Sequence, residues 1–279
     1  MKIIVKANGG LGNRMRVLAS CIALSQRLRR EVEILWVNNE ELNCSFVDLF
    51  QPIAGLTISE KKYIPSWNRL GLKLRKRAFV KEFSNYDIQF SDAEIFKLRQ
   101  MKSDLVKLIK DANTVYIDTC ESFYGDESFL AFLLPKKSIT KLVQNRFDTI
   151  GTNYVGVHIR RGDNEKSKEI STSAHFLSRL EELQHENFGT KFYLSTDDIG
   201  EASKLKNKFL HSLYHFQGGL TRNKPADIRL ALVDLMMLAK SKKILGSYWS
   251  SFSEVASAYG GVEIEFAGVD TQKKQHKSK

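Results

Sequence analysis

The run His158-Ile159-Arg160-Arg161-Gly162-Asp163 places two adjacent guanidinium groups, an imidazole and a carboxylate at the end of the apolar stretch Tyr154–Ile159. Arginine makes bidentate, charge-assisted bonds to phosphate. Two cations leaving a buried strand therefore call for an anionic counterpart. Neighbours in an extended chain point to opposite faces. One arginine should face a cleft, and the other should brace the loop through Asp163. His158 and Arg160 share a face. The plainer alternative is a surface cluster of ion pairs.

Four more polar clusters could do chemistry, and each has a purely structural alternative. Asn8-Gly9-Gly10-Leu11-Gly12-Asn13 is a glycine-rich loop feeding a helix N-terminus, a place that attracts anions. Met15 stands where a dinucleotide fingerprint needs its third glycine, and no Walker lysine follows. A tight turn with a helix cap reads equally well. Asp197-Asp198 could be a divalent-metal pair or a helix N-cap, and no D-x-D accompanies it. Ser247 to Ser253 is a hydroxyl-rich turn that could cradle phosphate oxygens or simply cap a helix. Asp234 interrupts an apolar helical stretch and needs a donor there. The amino and ring NH groups of guanine would suit, and so would a structural salt bridge.

The elements that must position these residues alternate between strand and helix patterns. Lys2 to Ala7 reads as a buried strand, followed by the glycine loop. A helix runs from Arg14 to about Leu28, and Val32 to Val37 returns to a strand. Weaker strands follow near Leu56 and Val115. After Pro135 come a helix over 137–146, the strand 154–159, a helix near 173–186 and the strand 191–195. A helix over about 200–209, the apolar helix 228–240, the strand 243–246 and a last helix from Ser253 complete the pattern. This is an α/β chain of two Rossmann-like halves, 1–140 and 141–279. Most of the polar clusters fall at carboxyl ends of strands, where such sheets bind ligands.

Composition sets outer bounds. The 279 residues carry 43 Lys and Arg against 32 Asp and Glu, a net charge of +11. An excess of this size suggests an anionic partner: nucleic acid, a membrane surface or a phosphorylated small molecule. The first apolar run, Ile3 to Val5, is too short for a signal-peptide core, and no stretch approaches a spanning helix. Cys21, Cys44 and Cys120 have no metal or disulfide spacing and read as reduced thiols of a cytoplasmic protein. Residues 61–81 hold eight cations and no acid, interleaved with Trp67, Leu70, Leu72, Leu74 and Phe79. This segment is a solvated basic face or a membrane-surface patch. Nucleic-acid binding ranks third, since no nucleic-acid motif accompanies it. The end, from Gln272, is a basic tail.

Gly9-Gly10-Leu11-Gly12-Asn13 after a first strand and His158-Ile-Arg-Arg-Gly-Asp163 in the second half resemble the fucosyltransferase superfamily, with its α-1,2-, α-1,6- and protein O-fucosyltransferases. Phe192 to Asp198, Val233-Asp234-Leu235 and Ser250-Ser251-Phe252 occur in the matching order. The resemblance implies a GT-B-like enzyme with two facing Rossmann-like domains, the N-terminal one on the acceptor side. It implies a GDP-fucose donor held mainly by the C-terminal half, with no essential metal and no further cofactor. Arg160 would hold the β-phosphate, with His158, Arg161 and Phe252 in the donor pocket. Asp234 would meet guanine, and Ser250 and Ser251 the diphosphate. Gly10 and Asn13 would close the cleft. Asp163, Asp197 and Asp198 match acidic positions needed for activity in the α-1,6 group.

Two departures leave the linkage open. Gly162 and Asn164 replace the α-1,6 group's Thr and Lys, and Ser-Ser-Phe-Ser-Glu254 replaces an aromatic run of the α-1,2 group. The expected function is inverting, metal-independent fucosyl transfer to a glycan, lipid-linked acceptors included. Asp163, Glu165 and Glu169 are the candidate bases. Segment 61–81 would then dock the enzyme on the cytoplasmic membrane face. The rival readings are the same fold using another GDP-sugar, and a non-catalytic binder of polyanions.

Overall fold

A computed structural model describes residues 1–62, 86–162, 165–216 and 221–269. The chain divides into two compact units, Met1–Leu134 and Pro135–Lys279. The division falls slightly before the expected 140, because the helix from Lys137 packs within the second unit. Most of segment 61–81 lies outside the described residues, as do Asp163 and the tail. No helix among the described residues is long and apolar enough to cross a membrane.

The first unit is a parallel sheet in the order β3-β2-β1-β5-β4. Its strands are β1 (Lys2–Ala7), β2 (Val32–Asn38), β3 (Leu56–Lys62), β4 (Ile88–Phe90) and β5 (Thr114–Thr119). Central β1 buries Ile3, Ile4, Val5 and Ala7, the near-continuous apolar run of a strand covered on both faces. Helix α1 (Leu11–Leu28) buries Met15, Leu18, Cys21 and Ile22. It begins at Leu11, ahead of the expected Arg14, because extended Gly10 serves as its N-cap. Among the described residues the unit also has short helices α2 (Phe46–Leu49), α3 (Asp92–Gln100) and α4 (Leu105–Ile109), beside a 3₁₀ turn at Glu127–Phe132. A Ser91–Glu94 capping box starts α3.

The second unit repeats the plan in the order β10-β9-β6-β7-β8, again all parallel. Its strands are β6 (Tyr154–Ile159), β7 (Lys191–Thr196), β8 (Leu213–His215), β9 (Lys243–Gly246) and β10 (Ile264–Phe266). Its helices are α5 (Lys137–Ile150), α6 (Glu165–Ile170), α7 (Ser173–Glu186), α8 (Ile199–Lys208), α9 (Pro225–Ala239) and α10 (Ser251–Gly260). Val157, Ile159, Phe176, Leu180, Phe192, Leu194, Leu205 and Leu245 form one buried cluster under α7 and α8. Helix α9 opens with proline at its first position, where the missing N–H costs nothing.

In the second unit the chain runs outward from β6 through β7 and β8, then resumes on the other flank at β9. In the first unit it leaves β1 through β2 and β3 and returns to the other flank at β4 and β5. Each sheet therefore has a topological switch point beside its first strand, the crevice where open α/β sheets bind ligands. The glycine loop leaves one of these strands and the double-arginine loop leaves the other.

Candidate active site

Parallel register puts His158 opposite both Ser195 on β7 and Gly246 on β9. Arg160, Asp197 and Tyr248 therefore leave three adjacent strands at one level. The Arg160 guanidinium pairs with Asp197 at 2.7 Å. The two oxygens of that carboxylate also accept the backbone N–H groups of Arg161 (2.7 Å) and Gly162 (3.0 Å). A Cβ on Gly162 would lie 2.8 Å from the carboxylate, so the glycine permits this close approach.

The second arginine turns elsewhere. Arg161 donates to the carbonyl of Ser171 at 2.9 Å and to the Ser173 hydroxyl at 3.4 Å. Its guanidinium lies over the Phe176 ring and 3.9 Å from Glu201. The two side chains divide as strand geometry predicts. The visible brace runs to α7 and α8, and the expected brace, Asp163, lies outside the described residues. These contacts brace the loop through Arg161.

Asp197 and Asp198 also part company. Asp198 accepts the Glu201 N–H at 2.8 Å and caps α8. The cap alternative thus holds for Asp198, while Asp197 anchors the arginine loop. Among the described residues no group of three or more His, Cys, Asp or Glu side chains could hold a metal ion.

His158 is buried against Phe252, with ring centroids 4.8 Å apart. Its Nδ1 lies 2.6 Å from the Ser253 hydroxyl. Burial, with the Arg160 charge added, pushes its pKa down to about 3, so the ring is neutral. The Ser247 hydroxyl accepts the Arg160 N–H (2.9 Å) and donates to the His158 carbonyl (3.2 Å), knitting two loops together. Helix α10 begins at Ser251, two residues before the expected start, because buried Ser250 takes the N-cap position. No side-chain cap bond is made there, so backbone N–H groups of α10 stand beside the Ser250–Ser251 hydroxyls.

Asp234 has protein donors. One oxygen is bonded by Arg146 and by the Tyr193 hydroxyl (2.6 Å), and the other faces Ser195 at 3.3 Å. The structural alternative is therefore occupied, and a carboxylate's four acceptor positions leave room for one further donor. Burial outweighs the guanidinium and raises the Asp234 pKa above the ordinary carboxylate value. Arg146 was not foreseen. It sits on the stripe Ile139, Val143, Arg146, Ile150 that α5 buries, and a cation on an apolar stripe was the signal available.

In the first unit Gly9 has φ +78°, and a Cβ there would run into the Asn13 side chain. Asn13 in turn accepts from Arg16 at 2.6 Å. Glu165 pairs with Lys168 on α6, and Glu169 is exposed on the same helix.

Two parallel-sheet units with polar loops at their switch points define an α/β fold of the GT-B type. No family model and no curated protein matches the chain. Solved structures do. NodZ α-1,6-fucosyltransferase soaked with GDP-fucose is 18% identical, with TM-score 0.63 and coverage of 93% of each chain. POFUT1 in complex with GDP is 12% identical, with TM-score 0.58, over 96% of this chain and 98% of that one. A mutant of Arabidopsis thaliana FUT1 in complex with GDP is 13% identical, with TM-score 0.58, over 95% and 70%. The shared property is the fold over almost the whole of this chain.

Proposed function

We propose that this chain is a glycosyltransferase that moves fucose from GDP-fucose to a glycan acceptor, with inversion and without a metal ion. The observation that carries the reading is Arg160, fixed by Asp197 at the switch point of the second sheet and bonded through its N–H to Ser247 in the turn that leads to α10. The likeness of fold to structures holding GDP or GDP-fucose supports it.

In this reaction the bond from the sugar's anomeric carbon to the β-phosphate oxygen breaks, and a bond to the acceptor oxygen forms. Negative charge grows on the departing diphosphate. Arg160, the Ser250 and Ser251 hydroxyls and the α10 amides stabilise that charge. His158 and Phe252 wall the pocket, and Asp234 offers its remaining acceptor position to guanine. The family resemblance also gives Gly10 and Asn13 a part in binding the donor. The acceptor's proton passes to Asp163, Glu165 or Glu169, and Asp197 acts through Arg160. A lipid-linked glycan on the cytoplasmic membrane face, met by the basic segment 61–81, fits the charge of the chain.

The test is GDP release from GDP-fucose against GDP-mannose over a panel of acceptor glycans, with and without EDTA. Release from GDP-fucose that persists in EDTA and disappears in Arg160→Ala supports the proposal. Absence of release, or GDP binding that Arg160→Ala leaves intact, overturns it.

A further inference from the structure

The first unit contains an arginine that no sequence motif marks. Arg14 lies one turn inside α1 and is completely shielded from solvent. Among the described residues no carboxylate reaches it within ion-pair distance. Its Nε donates to the Gly9 carbonyl at 2.9 Å, and its Nη2 donates to the Asn39 side-chain oxygen at 2.9 Å. The guanidinium carbon lies 4.7 Å from the Trp36 ring centroid, and Trp36 is itself fixed by a 2.8 Å bond from Nε1 to the Cys44 carbonyl. The remaining Nη1 has no hydrogen-bond partner among the described residues.

Burial pushes the Arg14 pKa down to about 10, and the Glu41 charge, beyond ion-pair distance, offsets only part of that cost; an apolar side chain of similar volume folds more cheaply. The fork makes sense through what it joins. The Asn39 side-chain oxygen also takes the N–H groups of Glu41 and Leu42, each at 3.2 Å. The Glu41 carboxylate then accepts the Gly9 N–H at 3.0 Å. Gly9, Arg14, Asn39 and Glu41 thus close a ring that ties the loop after β1 to the loop after β2. Gly9 packs directly on Asn13, so the ring also sets that side chain.

We infer that Arg14 is the positioning residue of the glycine loop, its guanidinium fork locking the loops after β1 and β2 so that Gly10 and Asn13 are held ready for the donor. The inference rests on the fucosyl-transfer reading for what the loop serves. It rests on the geometry alone for the clamp. A lysine carries the charge but cannot make both bonds from one planar group.

Arg14→Lys and Asn39→Ala test it, separately and combined. Asn39 is only half-buried, so its variant keeps the test open if Arg14→Lys does not fold. Each single change lowers kcat/KM for GDP-fucose by roughly tenfold to a hundredfold, the scale of a small misplacement of a binding group. GDP still binds at one site per chain. The double variant loses no more than the worse single one, because both act on one clamp. Amide hydrogen exchange reads the clamp without substrate: each variant accelerates exchange at 9–13 and 39–42 together. Wild-type kcat/KM in either variant, additive losses, or a loss matched by loss of folded protein overturns the inference. Should the wild type fail to use GDP-fucose while both loops respond in exchange, the functional reading falls and the clamp stands.

Discussion

Asp197 grips Arg160 from both ends: its carboxylate pairs with the guanidinium at 2.7 Å and takes the two backbone N–H groups that follow Arg160 in the chain. The side chain and its loop are therefore fixed by one group. A guanidinium held this way needs little reorganisation when negative charge develops in front of it, and such preorganisation is usually the largest electrostatic contribution to a transfer reaction.

Replacing Arg160 by Lys should fail nearly as badly as replacing it by Ala. An ammonium cannot keep Asp197 and reach a phosphate through a planar fork at once. The loss expected in kcat/KM is about 2–4 kcal/mol for either variant, measured by GDP release at saturating acceptor. A Lys variant with most of its activity would remove Arg160 from that role.

Asp197→Asn should lower kcat by about tenfold or more, because the arginine loses its fixed partner. GDP affinity should hold or tighten, since a competing anion is gone. The same loss is expected in Mn²⁺ and in EDTA. If Mn²⁺ alone restores the wild-type rate after chelation, Asp197 is a metal ligand and the anchoring role is wrong.

Much of this site was legible in the sequence because its residues stand where a strand pattern ends. The adjacent arginines had to split by strand geometry, and they do. Asp197-Asp198 left two readings open because a carboxylate after a strand can cap, anchor or ligate, and only the neighbouring strand's register decides. Arg146 and Arg14 were missed for one reason. Each sits inside a helix among apolar neighbours, and its partners come from elements distant in sequence: Asp234 on α9 for the first, Asn39 after β2 for the second. Strands β4, β8 and β10 have three residues each, too few to show a period.

Arg146→Met should destabilise the second unit by about 3–5 kcal/mol, because it leaves the Asp234 carboxylate buried without its cation. Adding Asp234→Leu to Arg146→Met should recover most of that loss, since the pair then becomes apolar. Urea unfolding of the two variants measures both quantities. An Arg146→Met midpoint equal to the wild type would show that Tyr193 and Ser195 suffice to hold Asp234.

Acid should unfold this protein partly through His158. Its pKa in the folded chain is about 3, below the roughly 6.5 of an unfolded histidine. The unfolded chain therefore binds a proton that the folded chain refuses. The stability tied to the neutral ring is complete above pH 6.5 and is lost progressively as pH falls from 6.5 toward 3. The slope approaches about 1.4 kcal/mol per pH unit for one such proton. His215, held below the usual histidine range mainly by burial, adds to the loss in the same direction. Replacing His158 by Gln, which cannot take up a proton, should remove its share of the slope between pH 6.5 and pH 4 while leaving the slope from His215. Chemical denaturation across that range gives the comparison. An unchanged slope in His158→Gln would mean that the ring is protonated in the folded chain, and the neutral wall beside Arg160 would have to be abandoned.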